Sequence, residues 1–318
     1  MQYKYRWRLV KVVIMLMCMS VAYLYWRAGG FIELTGTMLI PLRADEKEKG
    51  SISLIQLENG SKAGKYLEDT RYDEFSWPYK TDGYLICTAK NIEKGYYAVL
   101  KINRDEMEEL VTSNKKIYCP LLSNNGEELI FTSEEDQKRS KFYLYKYNLK
   151  EKVLQKIYDE PVVGMSAPIL FPDGTILLTA AKDVTTYENY SFIKSGSIRI
   201  LRENGNAEEL LEGTFPVWLE KGRSFFYFDD REKKIILYDI SDATKKVIAK
   251  DIYISDLLTV SPNKKYLVFD EKVNINGKDR TSLLRVMTID GWAKRDIKQY
   301  GKYGYFPRGY GVNWGNLL

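Results

Sequence analysis

One phrase recurs roughly every 45 residues along this chain and constrains the fold more than anything else in it. A short apolar stretch carrying proline runs through a Gly, Asn or Asp turn into a second stretch rich in Ile, Leu and Phe. It reads Trp77-Pro78, Asp82-Gly83, Tyr84-Leu85-Ile86, then Cys119-Pro120, Asn125-Gly126, Leu129-Ile130-Phe131. It returns as Ala167-Pro168, Asp173-Gly174, Ile176-Leu177-Leu178, as Phe215-Pro216, Lys221-Gly222, Phe225-Phe226-Tyr227, and more weakly as Ser261-Pro262-Asn263, Tyr266-Leu267-Val268-Phe269. A repeat of this period made of strands means a β-propeller, in which each repeat is one small sheet that buries its faces only against its neighbours.

The rest of each repeat is regular. A third strand alternates apolar and polar residues, as in Tyr97–Ile102, Phe142–Tyr147, Ser197–Leu201, Lys234–Tyr238 and Leu283–Ile289, and a polar turn leads to a shorter fourth. That makes five complete four-stranded blades between about residues 75 and 300. Met38–Leu42, Ser51–Leu57 and Lys65–Leu67 read as second, third and fourth strands lacking a first, and Tyr305–Tyr310 as a first strand with nothing after it. Joined, they form a sixth blade and hide the edges that an open array would expose. If Phe31–Leu34 supplies the missing strand, the count becomes seven; six is preferred. The expected class is all-β, a six-bladed β-propeller over 38–318, reached through a linker at 28–37.

Residues 1–27 are different. They hold Lys4, Arg6, Arg8, Lys11 and Arg27 with no acid, and so carry the whole net charge of +5. The remainder is balanced, leaving no excess of positive charge to attract a phosphate backbone, so nucleic acid is not expected as a partner. Residues 12–26 form one apolar run ending in Tyr23-Leu24-Tyr25-Trp26, near the lower length limit for a spanning helix and basic on its N-terminal side. The expectation is a single-pass transmembrane signal-anchor with the propeller on the extracytoplasmic side. The alternative is a secreted protein cleaved after Ser20-Val21-Ala22. Three cysteines make no disulfide framework. Cys18 falls in the apolar run, and Cys87 and Cys119 read as small buried residues on strands of neighbouring repeats.

The turn phrases, above all Phe171-Pro172-Asp173-Gly174 and Ser261-Pro262-Asn263-Lys264, resemble those of the TolB-like propellers and of the dipeptidyl peptidase IV-type propeller domain. The resemblance covers most of 38–318. It implies a six-bladed fold that usually serves as a module for binding proteins, in some relatives with an enzyme on the same chain.

The chain has no histidine. That removes His-assisted Ser or Cys nucleophiles, imidazole-ligated zinc and imidazole proton shuttles. There is no Gly-x-Ser-x-Gly elbow, Gly-rich phosphate loop or Cys-x-x-Cys, so no catalytic set, cofactor or metal site is expected. The acidic runs Glu134-Glu135-Asp136 and Asp229-Asp230 offer oxygen ligands for Ca²⁺ but lack the alternating pattern of a dedicated loop, and read as turns. Binding is expected instead on the long loops between second and third strands: Ser133–Lys141, Ala181–Gly196 and Glu271–Arg280. Their candidates are Asp136, Tyr187, Glu188, Asn189, Tyr190, Asn276, Lys278, Asp279 and Arg280. Trp77 and Trp218 either line the channel mouth or pack blade against blade; the aromatic stretch Tyr300–Trp314 either stacks on a ligand or packs the closing blade. The expected function is a non-catalytic binding module for a protein or a cell-envelope component. A lyase or hydrolase using carboxylates and tyrosines on an envelope glycan or peptide is the alternative.

Overall fold

A computed structural model of the protein describes residues 15, 17–20, 37–42, 51–56, 62–69, 71–76, 79–81, 84–103, 106–136, 141–164, 166–187, 190–261, 263–274, 280–296 and 313–315. Of the apolar run this takes in only 15 and 17–20, which are helical, and no helix among the described residues is long and apolar enough to cross a membrane. Phe31–Leu34, the cleavage motif at Val21-Ala22 and most of the aromatic C-terminal stretch lie outside the described residues.

From Thr37 onward every regular element among the described residues is a strand. The chain opens with β1 (Thr37–Leu42), β2 (Ser51–Gln56) and β3 (Lys62–Glu68), paired in that order. A second sheet holds β4 (Tyr72–Asp73), β5 (Tyr79–Thr81), β6 (Tyr84–Asn91), β7 (Tyr97–Asn103) and β8 (Glu106–Ser113). The third is twice as wide. It has β9 (Ile117–Leu122), β10 (Glu128–Asp136), β11 (Lys141–Asn148) and β12 (Val153–Val162), then β13 (Ile169–Leu170), β14 (Ile176–Tyr187), β15 (Tyr190–Leu201) and β16 (Ala207–Glu212). Its two halves meet through a single β12–β14 pair, Val162 opposite Ala180. A fourth sheet runs β17 (Thr214–Glu220), β18 (Ser224–Asp229), β19 (Lys234–Asp239), β20 (Thr244–Ala249). The fifth runs β21 (Ile254–Val260), β22 (Tyr266–Asn274), β23 (Arg280–Thr288), β24 (Lys294–Asp296).

The last strand, β25 (Asn313–Gly315), returns to the first sheet and pairs with β1, Trp314 opposite Met38. The expected strand at Tyr305–Tyr310 lies outside the described residues.

The recurring proline explains the first strand of each unit. It has no N–H to give the ladder, so that strand breaks or bulges wherever proline falls. β4 and β5 are two fragments against one partner, β6, on either side of Trp77-Pro78, and the end of β12 and β13 stand in the same relation to β14 across Pro168. The β9–β10 and β17–β18 registers shift beside Pro120 and Pro216, where Cys119 (φ 50°) and Phe215 (φ 53°) turn left-handed. Seams between units are then closed by hydroxyls. Thr132 Oγ1 donates to Gly164 O at 2.8 Å, and Ser166 Oγ lies 2.8 Å from Thr179 Oγ1 and accepts from Phe215 N at 3.2 Å.

The core lies between sheets, as β18 shows most directly. Its run Phe225-Phe226-Tyr227-Phe228 is fully buried because both faces are covered. Phe225 and Tyr227 pack with Leu177 and Ile198 of the preceding unit, while Phe226 and Phe228 pack with Leu258, Leu267 and Phe269 of the following one. Gly213, at the hinge between β16 and β17, has φ +142°, and a Cβ there would lie 2.5 Å from the Tyr227 ring and 2.8 Å from Phe228 O. Cys87 and Cys119 are free and buried.

Candidate binding cleft

The three long segments expected to be loops are in large part paired strands. β14 and β15 continue through Val184↔Ile193 and Thr185↔Phe192 to Tyr187↔Tyr190, so Ala181–Gly196 is a hairpin arm. Its β-branched and aromatic residues favour the extended pairing. β10 and β11 likewise pair out to Asp136↔Lys141, and β22 and β23 to Asn274↔Arg280. The structure therefore brings Asp136, Tyr187, Tyr190 and Arg280 to the tips of three arms; Glu188, Asn189, Asn276, Lys278 and Asp279 lie outside the described residues, as does Trp77.

Trp218 packs between units. Its Nε1 donates to Leu170 O at 3.2 Å, and its ring meets Phe171 and Phe225 edge-on at centroid distances of 4.9 and 5.9 Å. Among the described residues no three Asp, Glu or Cys side chains gather as metal ligands. Asp229 is occupied as a turn cap, accepting from the backbone N–H of Arg231 at 3.0 Å and Glu232 at 2.9 Å. Glu135 accepts from the Tyr145 hydroxyl, which holds its carboxyl below the usual carboxylate range, and it sits 3.5 Å from Lys156 Nζ.

At the opposite end of the strands, a cleft of about 840 Å³ opens between the two halves of the wide sheet. It exists because the halves are joined only at Val162↔Ala180 and diverge from there. Its floor is apolar, from Ile130, Leu170, Ile176 and Leu201, side chains that also belong to the buried cluster between the halves. One wall is five consecutive residues of β12, Gln155 to Asp159; the other is the turn Arg202–Gly205. Toward the expected channel the cleft is bounded by Ser123–Asn125 and Pro172–Gly174. Asn124 ties those turns together: its Nδ2 donates to Phe171 O at 3.0 Å, and its Oδ1 accepts from Lys221 Nζ at 3.0 Å.

The charges of the lining are unequally engaged. Lys146 pairs with Glu128 at 3.0 Å, Lys156 with Glu135 at 3.5 Å and Arg202 with Glu208 at 3.4 Å. Asp159, Asp173 and Glu203 have no ion-pair partner among the described residues. Asp173 is held in its turn by accepting from Thr175 N at 3.0 Å, which lowers its pKa. The cleft thus combines an apolar floor with hydrogen-bonding turns, and the acids Glu128, Asp159, Asp173 and Glu203 stand in its lining against Lys146, Lys156 and Arg202. The sequence named several of these residues, among them Asn125, Ile130, Pro172, Asp173, Gly174 and Ile176, as parts of the repeat but none as a binding residue, because the turns that frame the cleft are short and its floor reads as ordinary core.

No family model matches the sequence, and no curated protein matches it. Solved structures do. TolB from Acinetobacter baumannii aligns with a TM-score of 0.61 at 15% identity, over 82% of this chain and 63% of that one, so the chain spans less than two thirds of TolB. A chain of a nidogen/laminin complex aligns with a TM-score of 0.52 at 12% identity, over 81% of this chain and 92% of that one. A Mycobacterium tuberculosis puromycin-hydrolysing peptidase aligns with a TM-score of 0.53 at 10% identity, over 83% of this chain and 45% of that one. The fold is that of a TolB-like β-propeller.

Proposed function

We propose that this chain is a membrane-anchored, extracytoplasmic, six-bladed β-propeller that works as a non-catalytic binding module for a protein of the cell envelope. The observation that carries the binding role is the 840 Å³ cleft, with its buried apolar floor and unpaired carboxylates. The count of six is supported by taking the wide sheet as two blades and β25 as completing the first. The anchor rests on the apolar run behind Lys4, Arg6, Arg8 and Lys11, and on the exposure of Met15, Met17 and Met19. Relatives in fold include a member of a protein–protein complex and a peptidase. Fold alone transfers neither role.

Capture by the full-length chain in solubilised envelope, read by mass spectrometry, tests this. Glu203→Trp puts a large side chain at the mouth of the cleft without touching the core, and should abolish capture of whatever the unaltered chain retains. Capture that survives Glu203→Trp but is lost with Tyr187→Ala would move the site to the arms. Hydrolysis of retained glycan or peptide would favour the enzyme.

A further inference from the structure

The β12 wall of the cleft differs from the corresponding strand of every other complete unit. In an antiparallel ladder only one edge of an outermost strand is satisfied, and natural proteins blunt the other with charge. Here the blunting is regular. The outer strands carry charged doublets close to their hairpins: Glu108-Glu109 on β8, Glu208-Glu209 on β16, Lys245-Lys246 on β20 and Lys294-Arg295 on β24. The registers fix the correspondence for β16 and β20, where Glu208 and Glu209 face Ile200 and Arg199 and Lys245 and Lys246 face Tyr238 and Leu237; on β8 the doublet lies one pair further from the hairpin, facing Lys101 and Leu100, after Met107. On β12 the residues in the same register, opposite Tyr147 and Lys146, are Leu154 and Gln155. Val153 and Leu154 are 55% and 53% exposed, so this apolar pair is not explained by burial.

The same edge is unpaired where it lines the cleft. β12 pairs with β11 at Val153–Lys156, Tyr158 and Val162, with register shifts between, reaches β14 only at Val162, and has no other backbone hydrogen bond among the described residues over 153–161. From Gln155 to Asp159 that leaves roughly 16 Å of open ladder at about 3.3 Å per residue. It faces an apolar floor and the carboxylates Asp159, Asp173 and Glu203.

We propose that the cleft takes an extended segment of a partner protein as an added strand on β12, its apolar side chains on the floor and its lysines or arginines against those three carboxylates. The mode rests on the binding role assigned to the cleft above and specifies how it is performed. Main-chain bonds to the open edge provide the affinity, and the floor and carboxylates select which segment enters. Proline at 161, lacking an N–H, ends the usable edge on one side.

The test uses the full-length chain in detergent micelles and a fluorescent octapeptide of alternating valine and lysine, with binding read by anisotropy. Two further peptides carry N-methyl groups on all valines or on all lysines. An added strand bonds through one edge only, so one methylated peptide should lose at least about tenfold in affinity while the other stays within about twofold. Leu154→Lys, which introduces the charge that β16 and β20 carry at this position, should weaken the parent peptide at least about tenfold, and a valine–glutamate peptide should not bind. The proposal is overturned if the parent peptide does not bind, if both methylated peptides behave alike, or if the acidic peptide binds equally. In each of those cases capture that remains sensitive to Glu203→Trp would keep the cleft as the binding site. Peptide binding that ignores Glu203→Trp would instead remove the cleft itself.

Discussion

Asp230 should make the domain less stable as pH rises, against the usual behaviour of a carboxylate, and Asp230→Asn should remove the effect. Asp229 caps the β18–β19 turn, and its neighbour Asp230 is turned inward and largely buried, with no hydrogen-bond partner for Oδ2. Burial pushes its pKa from 3.8 up to about 6. The Thr214 hydroxyl and Lys233 offset part of that rise, and Asp229 adds to it. Nearby, Arg231 is drawn off to Glu212 at 3.6 Å. Folded protein therefore holds the Asp230 proton more tightly than unfolded protein between pH 3.8 and about 6. Over that interval the unfolded state binds fewer protons, so stability falls as pH rises and is level above it. A shift of this size corresponds to a ceiling of about 3 kcal/mol, and residual contact with water reduces it to about 1–3 kcal/mol. Urea unfolding of the full-length protein and of Asp230→Asn at pH 4, 5, 6, 7 and 8 measures it. The variant should gain on the parent between pH 4 and 7 by that amount and keep a constant lead at pH 8. A lead that is the same at every pH, or one that shrinks as pH rises, would refute the reasoning.

Two further outcomes follow from packing. Gly213→Ala forces a Cβ against the Tyr227 ring at a backbone angle that favours glycine, and should cost about 2–4 kcal/mol in urea unfolding. Gly95→Ala, also left-handed at φ +74° but with nothing within 4 Å, should cost only about 1 kcal/mol. Equal losses would mean that backbone angle alone, and not the Tyr227 contact, decides. Burial pushes the thiols of Cys87 and Cys119 upward, so at pH 8 a thiol reagent should leave both unmodified in the native protein and modify both after urea. Rapid native modification of Cys87 or Cys119 would show that the strands around them open.

The architecture was written locally, and so could be read. Proline marks the broken or bulged first strand of four units, and the run Phe225–Phe228 announces a strand covered on both faces. The arms misled because Lys182, Asp183, Glu188 and Asn189 gave a polar cast to what β-branched and aromatic neighbours make into paired strand. Trp218 could be assigned only once Leu170 and Phe171, far away in the chain, were seen beside it. The cleft depends on the divergence of two half-sheets, and no short stretch of residues encodes an angle. Leu154-Gln155 was visible throughout, but its departure from the other outer strands has meaning only when hairpin register aligns them.

The pairing of β1 with β25 also sets an order of events. Among the described residues every other ladder joins strands close in sequence, whereas Met38 and Trp314 meet across nearly the whole chain. Doubling such a loop costs only about 0.6 kcal/mol, so the long separation weighs little on final stability. It weighs on time, since contacts between distant residues form late. The first sheet must wait, with β1 uncovered on one edge, until residues 313–315 have been synthesised and, for an exported protein, delivered to the same side of the membrane. Until then the nascent domain is an open arc, exposed to proteases and to strand exchange with a second copy of itself.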